Sequence, residues 1–211
     1  MKIIAVFYDF SKPSEHAARY ALHLAKKLKT NILLFDISFA TLQKKQKIQA
    51  KLAGSANGDT VPLRSELLEF GKNIDTEQIL SNSPGAYLPS INCDTTCGDL
   101  AQIMASVLSN SEIIMITTSP FNKESLAEFL ISNTCKLMLD WSTIPVLIVP
   151  ECTLIRNIEK MVFCTSLSSR DADYINALAH LLKPFGPELM IVHLNGYDAD
   201  RSRENYERIL L

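Results

Sequence analysis

Glycine is scarce in this sequence and unevenly distributed. The chain has 211 residues but only 7 glycines, and none lies between Asp99 and Phe185. Glycine lets a backbone approach a phosphate group closely, because any side chain narrows the space available. A glycine-rich phosphate-binding loop is therefore excluded from that stretch, and a collagen-like sequence is excluded for the whole chain.

Long apolar runs and an excess of one charge are also missing. The longest apolar runs are the length of a strand, well short of the roughly 20 residues that a membrane span needs. The 21 Lys and Arg nearly balance the 23 Asp and Glu, and the formal net charge is −2. We therefore expect neither nucleic acid nor a membrane as a partner. The apolar segment at residues 3–7 is too short for a secretory signal, which favours a cytoplasmic location.

Cysteine usage argues against a disulfide framework and against a zinc site. The five cysteines are an odd number, none stands in a CxxC pair, and the four histidines lie far from them in the sequence. A redox link between Cys93 and Cys97 is the alternative that stays open. The sequence also lacks a GxSxG elbow, a Walker loop and the Ser-Gly-Gly-x-Asp-Ser loop of ATP pyrophosphatases, so we do not expect an enzyme.

What the chain does contain is an alternation of buried strands and amphipathic helices. The apolar run at residues 3–7 predicts a strand, residues 11–15 are of the types that open helices, and apolar positions over 17–28 follow helical spacing. A second apolar strand over residues 31–37 completes a βαβ unit, whose strands must be parallel. The predicted fold class is therefore α/β.

The same alternation continues to about residue 150. Further helices are predicted over residues 39–53, 63–80, 100–107, 123–131 and 134–140, and further strands over 86–92, 113–116 and 145–149. Residues 54–59 read as a loop, and Thr117–Pro120 as the turn that follows the fourth strand. Together these elements predict an open, five-stranded, mostly parallel Rossmann-like sheet.

The last sixty residues repeat the first part of the chain. Residues 9–11 align without gaps on residues 166–168, an offset of 157, and residues 32–37 align on 189–194. The second copy reads strand, helix, strand and then a helix to residue 211. Two parallel strands cannot cover their own sheet. We therefore predict a full domain over 1–150 and the first half of a second over 151–211, which is either part of a longer tandem protein or docks on another surface.

These elements resemble the universal stress protein family. The likeness rests on residues 9–17 and the helix after them, the strands over 33–37 and 113–116, and the run over 144–149. It covers residues 1–150, weakly from 40 to 85, and the first half of a second domain over 157–211. It implies a five-stranded α/β domain acting in stress resistance, which self-associates as a homodimer or by tandem-domain pairing through its last strand. Some members of the family bind ATP or AMP with Mg²⁺, and others do not.

The nucleotide-binding members of this family carry Gly-x-x-Gly, nine further residues, and then Gly followed by Ser or Thr. In this chain, counting back from Pro145 fills those positions with other residues, namely Ser119, Asn122, Ser132 and Asn133. A second register places Thr117 and Pro120 on the first two glycines. Each Cβ narrows the phosphate cradle, and a proline also removes a donor. The resemblance thus predicts a degenerate phosphate site.

The nucleoside half of the family's pocket is better preserved. Asp9 matches the family aspartate that faces the nucleoside, and Ile37 matches an apolar position near the base. An acid after a parallel strand can accept ribose hydroxyls, although a turn or helix-cap role is the competing explanation. Hydroxyl and amide side chains at two helix starts are candidates to hold a phosphate or simply to cap the helices, namely Thr117, Thr118, Ser119, Ser132, Asn133 and Thr134.

Two functional hypotheses follow. The first is a non-catalytic binding module of the stress response whose nucleotide pocket is degenerate. The second is an adenine nucleotide sensor of energy state that uses Asp9, Ile37 and the polar cluster of the first domain. In the second copy, Ser166 stands where Asp9 stands in the first. The second copy is therefore predicted to lack the carboxylate.

Overall fold

The computed structural model describes residues 1–37, 61–81, 85–94, 99–120, 133–165 and 167–193, with side chains from 65 to 80 in the second range and from 135 in the fifth. The chain divides into two compact units, Met1–Ile155 and Arg156–Leu211. The helices predicted over 39–53, 123–131 and 200–211 lie outside the described residues.

The first unit alternates strands and helices along the chain. Its elements are β1 (Ile3–Tyr8), α1 (Lys12–Leu28), β2 (Asn31–Asp36), α2 (Val61–Ser81), β3 (Ile91–Asp94), α3 (Leu100–Ser109), β4 (Ile113–Thr118), α4 (Asn133–Trp141) and β5 (Val146–Ile148). The five strands form one parallel sheet in the order β3–β2–β1–β4–β5. The predicted five-stranded, Rossmann-like α/β sheet is confirmed.

Helix α1 begins within the predicted helix start over residues 11–15, and Ser11 is its cap. Ser11 has an extended backbone, its Oγ accepts a hydrogen bond from Ser14 N, and Pro13 lies in the first turn. At the other end, Lys29 adopts a left-handed conformation with φ 54°, and its N–H donates to Ala25 O. These local signals set the length of the helix, which packs on β1.

The sheet is buried on both faces, and β1 is at its centre. Ala5 and Phe7 are fully buried in an apolar cluster that includes residues of α3 and α4. Ile4 and Val6 point to the opposite face, because side chains alternate along a strand, and they are also 0% exposed. Burial on both faces explains why β1 reads as a continuous apolar run.

Two predicted boundaries were wrong. Thr117 and Thr118 are not in a turn: they are the last residues of β4 and pair with β5. Threonine is β-branched and fits a pleated strand, so pairing extends β4 beyond its apolar run. The strand predicted over 86–92 begins only at Ile91. Pro89, which has no N–H to donate to a ladder, lies just before it.

Gly71 of α2 lies against Cys93 of β3 with no room for a side chain. A Cβ at position 71 would lie 2.9 Å from Cys93 Sγ. We expect Gly71→Ala to cost about 1 kcal/mol of unfolding free energy, because crowding outweighs the gain in helix propensity. In a Cys93→Ala background the Sγ atom that crowds position 71 is absent. Gly71→Ala should then raise the free energy of unfolding, because alanine favours a helix more than glycine does. Urea unfolding of the four proteins measures this change of sign, and an equal cost in both backgrounds would contradict it.

The second unit is a smaller strand–helix–strand arrangement. Its elements are β6 (Lys160–Thr165), α5 (Asp171–Leu182) and β7 (Glu188–His193). The two strands are parallel and pair from Lys160 opposite Glu188 to Thr165 opposite His193. Within the described part of the chain, no other strand joins this sheet. Its order and pairing are those of β1, α1 and β2.

Candidate functional site

The candidate site is the edge of the first sheet at which β1, β2 and β4 end. β1 lies between β2 and β4, and the chain leaves β1 toward β2 but leaves β4 toward β5. In open α/β sheets, ligands bind in the crevice where the strand order reverses in this way. The topology therefore brings Asp9, Ile37 and the segment Thr117–Ser119 to one edge.

Asp9 is held by the turn that it starts. Its Oδ1 accepts hydrogen bonds from Ser11 N at 3.1 Å and from Ser11 Oγ at 2.5 Å. The backbone N–H of Asp9 donates to Ser14 Oγ at 3.3 Å, and Ser14 Oγ donates to Ser11 O at 2.9 Å. Aspartate commonly stabilises such a turn. One carboxylate oxygen of Asp9 thus supports the turn that leads into α1.

We expect Asp9→Ala to lower the unfolding free energy by about 1–2 kcal/mol, because Ser11 loses an acceptor that is a charged group. Asp140→Ala is the matched control, since Asp140 is an exposed residue of α4, and its effect should stay within about 0.5 kcal/mol. Denaturant unfolding measures both. Equal effects of the two substitutions would contradict the structural role of Asp9.

Ile37 belongs to the apolar core. Its side chain is 1% exposed and lies in the same buried cluster as Phe7 and Phe35. Its backbone N–H donates to Tyr8 O at 2.9 Å, which ties the end of β2 to the end of β1. The residue therefore stabilises the floor of the candidate site.

The hydroxyl residues at the end of β4 are buried. Thr117, Thr118 and Ser119 are 0%, 0% and 1% exposed. Thr118 Oγ1 has a long hydrogen bond to Ser119 O at 3.4 Å. Thr117 Oγ1 is buried and has no hydrogen-bond partner in the part of the chain that the structure describes. Leaving a buried hydroxyl unpaired costs about 1–3 kcal/mol. The described residues around Thr117 provide no hydrogen bond that offsets this cost.

The other predicted site residues lie wholly or partly outside the described part of the chain. Ser132 lies outside the described residues. Asn133 and Thr134 are the first residues of α4, and the structure describes their backbone alone. Cys97 also lies outside the described residues, so the alternative of a redox link to Cys93 stays open.

An aromatic stack that the sequence analysis missed lies at the end of β1. Tyr8 stacks on Phe70 of α2 with ring centroids 4.2 Å apart, and Phe10 meets Tyr8 edge-on at 5.0 Å. Burial raises the pKa of the Tyr8 hydroxyl, and the charges of Glu15 and Asp9 raise it further. In the sequence, the signal for this stack was the pair of aromatic residues, Tyr8 and Phe10, on either side of Asp9. Their partner Phe70 is far away in the sequence and only packing identifies it.

A cation on α1 is paired with carboxylates. Arg19 Nη1 lies 2.5 Å from Glu15 Oε1, and Arg19 Nη2 lies 3.2 Å from Glu77 Oε1 of α2. Burial alone would lower the pKa of Arg19, but hydrogen bonds to the two glutamates raise it. The guanidinium therefore links α1 to α2, and these contacts compete with any anionic ligand.

The turn after the first strand has the same unusual backbone in both units. Phe10 has φ 62° and Leu167, which aligns with it, has φ 60°. A left-handed backbone costs roughly 1–2 kcal/mol for a residue with a side chain. In the first unit Asp9 supports this turn, whereas in the second unit Asp171 Oδ2 accepts from Ser168 N at 3.1 Å. The turn is thus retained while the supporting carboxylate comes from a different position.

The corresponding edge of the second unit joins a hydroxyl, a carboxylate and an imidazole. Thr165 Oγ1 donates to Asp171 Oδ2 and accepts from Leu167 N at 2.8 Å. His193 Nδ1 lies 3.1 Å from Thr165 O. Ser166, which aligns with Asp9, lies outside the described residues. These contacts connect the ends of β6 and β7 to the start of α5.

The described ranges contain no group of three or more His, Cys, Asp or Glu side chains able to hold a metal ion. Over the same ranges, no helix is both long enough and apolar enough to cross a membrane. The strand order and the edge at β1 and β4 define an open Rossmann-like α/β protein with a candidate ligand site where the strand order reverses.

No protein-family model and no curated protein matches this sequence. Solved structures that resemble the chain include the hypothetical protein MJ0577, at 19% identity and a TM-score of 0.49 over 72% of this chain and 98% of that one. They also include the universal stress protein UspA from Lactobacillus plantarum, at 16% identity and a TM-score of 0.43 over 70% and 97%. The second is named for the family that the sequence resembles. At these identities and scores the likeness carries no conclusion about ligand or activity.

Proposed function

We propose that this chain is a universal stress protein of tandem type that acts as a non-catalytic regulatory module in the stress response, with a degenerate nucleotide pocket. The observation that carries the proposal is the engagement of Asp9 by Ser11 N and Ser11 Oγ. A carboxylate oxygen that accepts two hydrogen bonds from its own turn is less available to a ribose. The residue most expected to recognise a nucleoside thus has a structural task.

The phosphate side of the pocket supports the same proposal. No glycine lies between Asp99 and Phe185, so every residue from 119 to 185 carries a side chain that would narrow the space for a phosphate at the backbone. The hydroxyl residues over 117–119 are buried, and Pro120 has no N–H. Arg19 is already paired with two glutamates.

The tandem arrangement is supported by the structure of each unit. Both read strand, helix, strand with parallel pairing. Both also have a left-handed residue with a side chain at the aligned positions Phe10 and Leu167. Local sequence does not require this conformation of phenylalanine or leucine, so its recurrence favours a shared origin of the two units.

The proposal includes self-association through β5, as a homodimer or by pairing of tandem domains. β5 is at the end of the described five-stranded sheet, where one row of its backbone groups faces away from the sheet. Such edges pair with another strand or need protection. Leu137 and Trp141 lie four residues apart on α4, and each is 40% exposed. An open strand edge and an exposed apolar helix surface are each suited to contact with a partner.

Calorimetric titration with ATP, and separately AMP, each with Mg²⁺, tests the degenerate pocket. We expect no binding heat and no thermal shift at millimolar nucleotide, for the wild type and for Asp9→Ala alike. Binding at about 10 µM or tighter, worth roughly 7 kcal/mol, that is lost in Asp9→Ala would overturn the proposal. It would make the adenine nucleotide sensor the function of the first unit.

One observation favours that alternative. The unpaired, buried Oγ1 of Thr117 is a polar group that a ligand hydroxyl or phosphate would satisfy. Thr117→Val removes the hydroxyl and keeps the shape of the side chain. If the sensor is correct, this variant binds nucleotide at least about tenfold more weakly, a loss of about 1.4 kcal/mol. Thr118→Val is the control, because the Thr118 hydroxyl already has an acceptor.

A further inference from the structure

One face of the β6–β7 sheet is apolar and exposed. Side chains alternate along a strand, so every second residue of β6 shares a face with its direct partners on β7. Val162 is 56% exposed and Met190, its partner, is 52% exposed. We call this surface the open face and define it by two pairs of apolar residues, which are Val162 with Met190 and Cys164 with Val192.

The opposite face of β6 is covered better. Met161 and Phe163 alternate with the open-face residues and are partly buried, whereas Val162 and Cys164 are exposed. On β7 the contrast is reversed, since Ile191 of this opposite face is 52% exposed and Val192 of the open face is partly buried. On β6, the open face is therefore the more exposed of the two.

The first unit shows what this face normally requires. Val162 and Cys164 align with Ala5 and Phe7, which are both 0% exposed. Ala5 and Phe7 lie in a cluster with residues of α3 and α4. The same face is thus a hydrophobic core in one unit and a surface in the other. Covering this face would be favourable, because it removes apolar surface from water.

We propose that the open face is a contact surface between two copies of this chain, packed face to face about a twofold axis. The charges at one end of the face support this partner. Lys160 and Glu188 are a direct cross-strand pair on this face, with Nζ 3.8 Å from Oε2. A twofold axis parallel to the strands and midway between them places β6 of one copy over β7 of the other.

That arrangement is complementary along the whole face. It places Lys160 opposite Glu188 of the partner subunit, and the reverse, so that four charges alternate in sign at one end. It also places Val162 opposite Met190 of the partner subunit. A twofold axis perpendicular to the strands would instead bring the charged end of one copy over the apolar end of the other, which costs desolvation. The charged pair and the apolar pairs therefore both favour the twofold axis parallel to the strands.

The contact area is small. Two strands of six residues each present less than the roughly 800 Å² per partner of a standard interface. We therefore expect a weak association, with a Kd on the order of 100 µM, that adds to any pairing through β5. Sedimentation of the full chain from about 5 µM to about 500 µM should show a concentration-dependent step that doubles the mass.

The first variant places a charge in the middle of the open face. Val162→Asp should abolish the doubling step, and any species formed through β5 should remain. Tyr174→Asp is the matched control, because Tyr174 is 53% exposed and lies on α5. It should leave the step unchanged. If the step near 100 µM survives Val162→Asp, or if the wild type shows no step in that range, the proposal is overturned, and a different protein or further chain is left to cover this face.

A second experiment does not depend on how Val162→Asp folds. Lys160→Glu alone and Glu188→Lys alone each place like charges opposite one another in a pair of identical copies, and each should fail to associate through this face. In a mixed pair the two negative side chains of one variant lie opposite the two positive side chains of the other, so an equal mixture should recover the doubling step. Circular dichroism confirms that both variants are folded. If two folded variants do not associate when mixed, or each still associates alone, the proposed packing is wrong.

Discussion

Replacing Phe7 with alanine is expected to lower the free energy of unfolding by about 3–5 kcal/mol. Phe7 is 0% exposed in the central strand of the first sheet. Its ring meets that of Phe35 edge-on, with centroids 6.1 Å apart, and it lies in the cluster to which α3 and α4 contribute. Truncation removes these contacts and leaves a cavity that neighbouring elements can only partly fill.

Denaturant unfolding followed by circular dichroism measures this loss. Leu80→Ala is the matched control, because Leu80 is an apolar residue of α2 that is 83% exposed, and it should change stability by less than about 0.5 kcal/mol. A cost below about 1 kcal/mol for Phe7→Ala would mean that the core does not close around β1.

The first unit is expected to lose stability at alkaline pH because of Tyr8. The Tyr8 side chain is 5% exposed, and its burial, followed by the charges of Glu15 and Asp9, raises its pKa above 10.0. Above that pH the unfolded chain loses the tyrosine proton while the folded chain keeps it, so the unfolded state binds fewer protons. Stability therefore falls as pH rises, by up to about 1.4 kcal/mol per pH unit.

Tyr8→Phe removes the titrating group and keeps a ring to stack on Phe70. Between about pH 10 and pH 11.5, its unfolding free energy should fall by about 1–2 kcal/mol less than that of the wild type. Tyr174→Phe is the control, since Tyr174 is 53% exposed, and its profile should follow the wild type. Parallel profiles for wild type and Tyr8→Phe would show that Tyr8 titrates normally in the folded protein.

Local patterns predicted most of the described elements. The apolar run of β1 and the helix start over residues 11–15 were predicted correctly, because both signals depend on residues close in sequence. The end of β4 was missed because Thr117 and Thr118 are polar. Their membership of the strand depends on hydrogen bonds with β5, and the polarity of a threonine does not reveal such pairing.

The candidate site was less predictable than the fold. The sequence placed Asp9 at the end of a strand, but left open whether it serves a ligand or a turn. Contacts with Ser11 identify the turn role. The stack of Tyr8 on Phe70 was not predicted at all, since the two rings meet only when α2 packs on the sheet.

By itself, the sequence determined the fold class, the parallel strand order of each βαβ unit and the lack of a glycine cradle. These depend on periodicity, chain connectivity and composition, which can be taken from neighbouring residues or from residue counts without knowledge of the packing. Only the tertiary structure decided that the hydroxyls over 117–119 are buried and that Val162 is exposed while the aligned Ala5 is not. The reason is physical, since exposure depends on which distant elements cover a residue. Aligned residues differ because the described part of the first copy includes covering helices that the described part of the second does not.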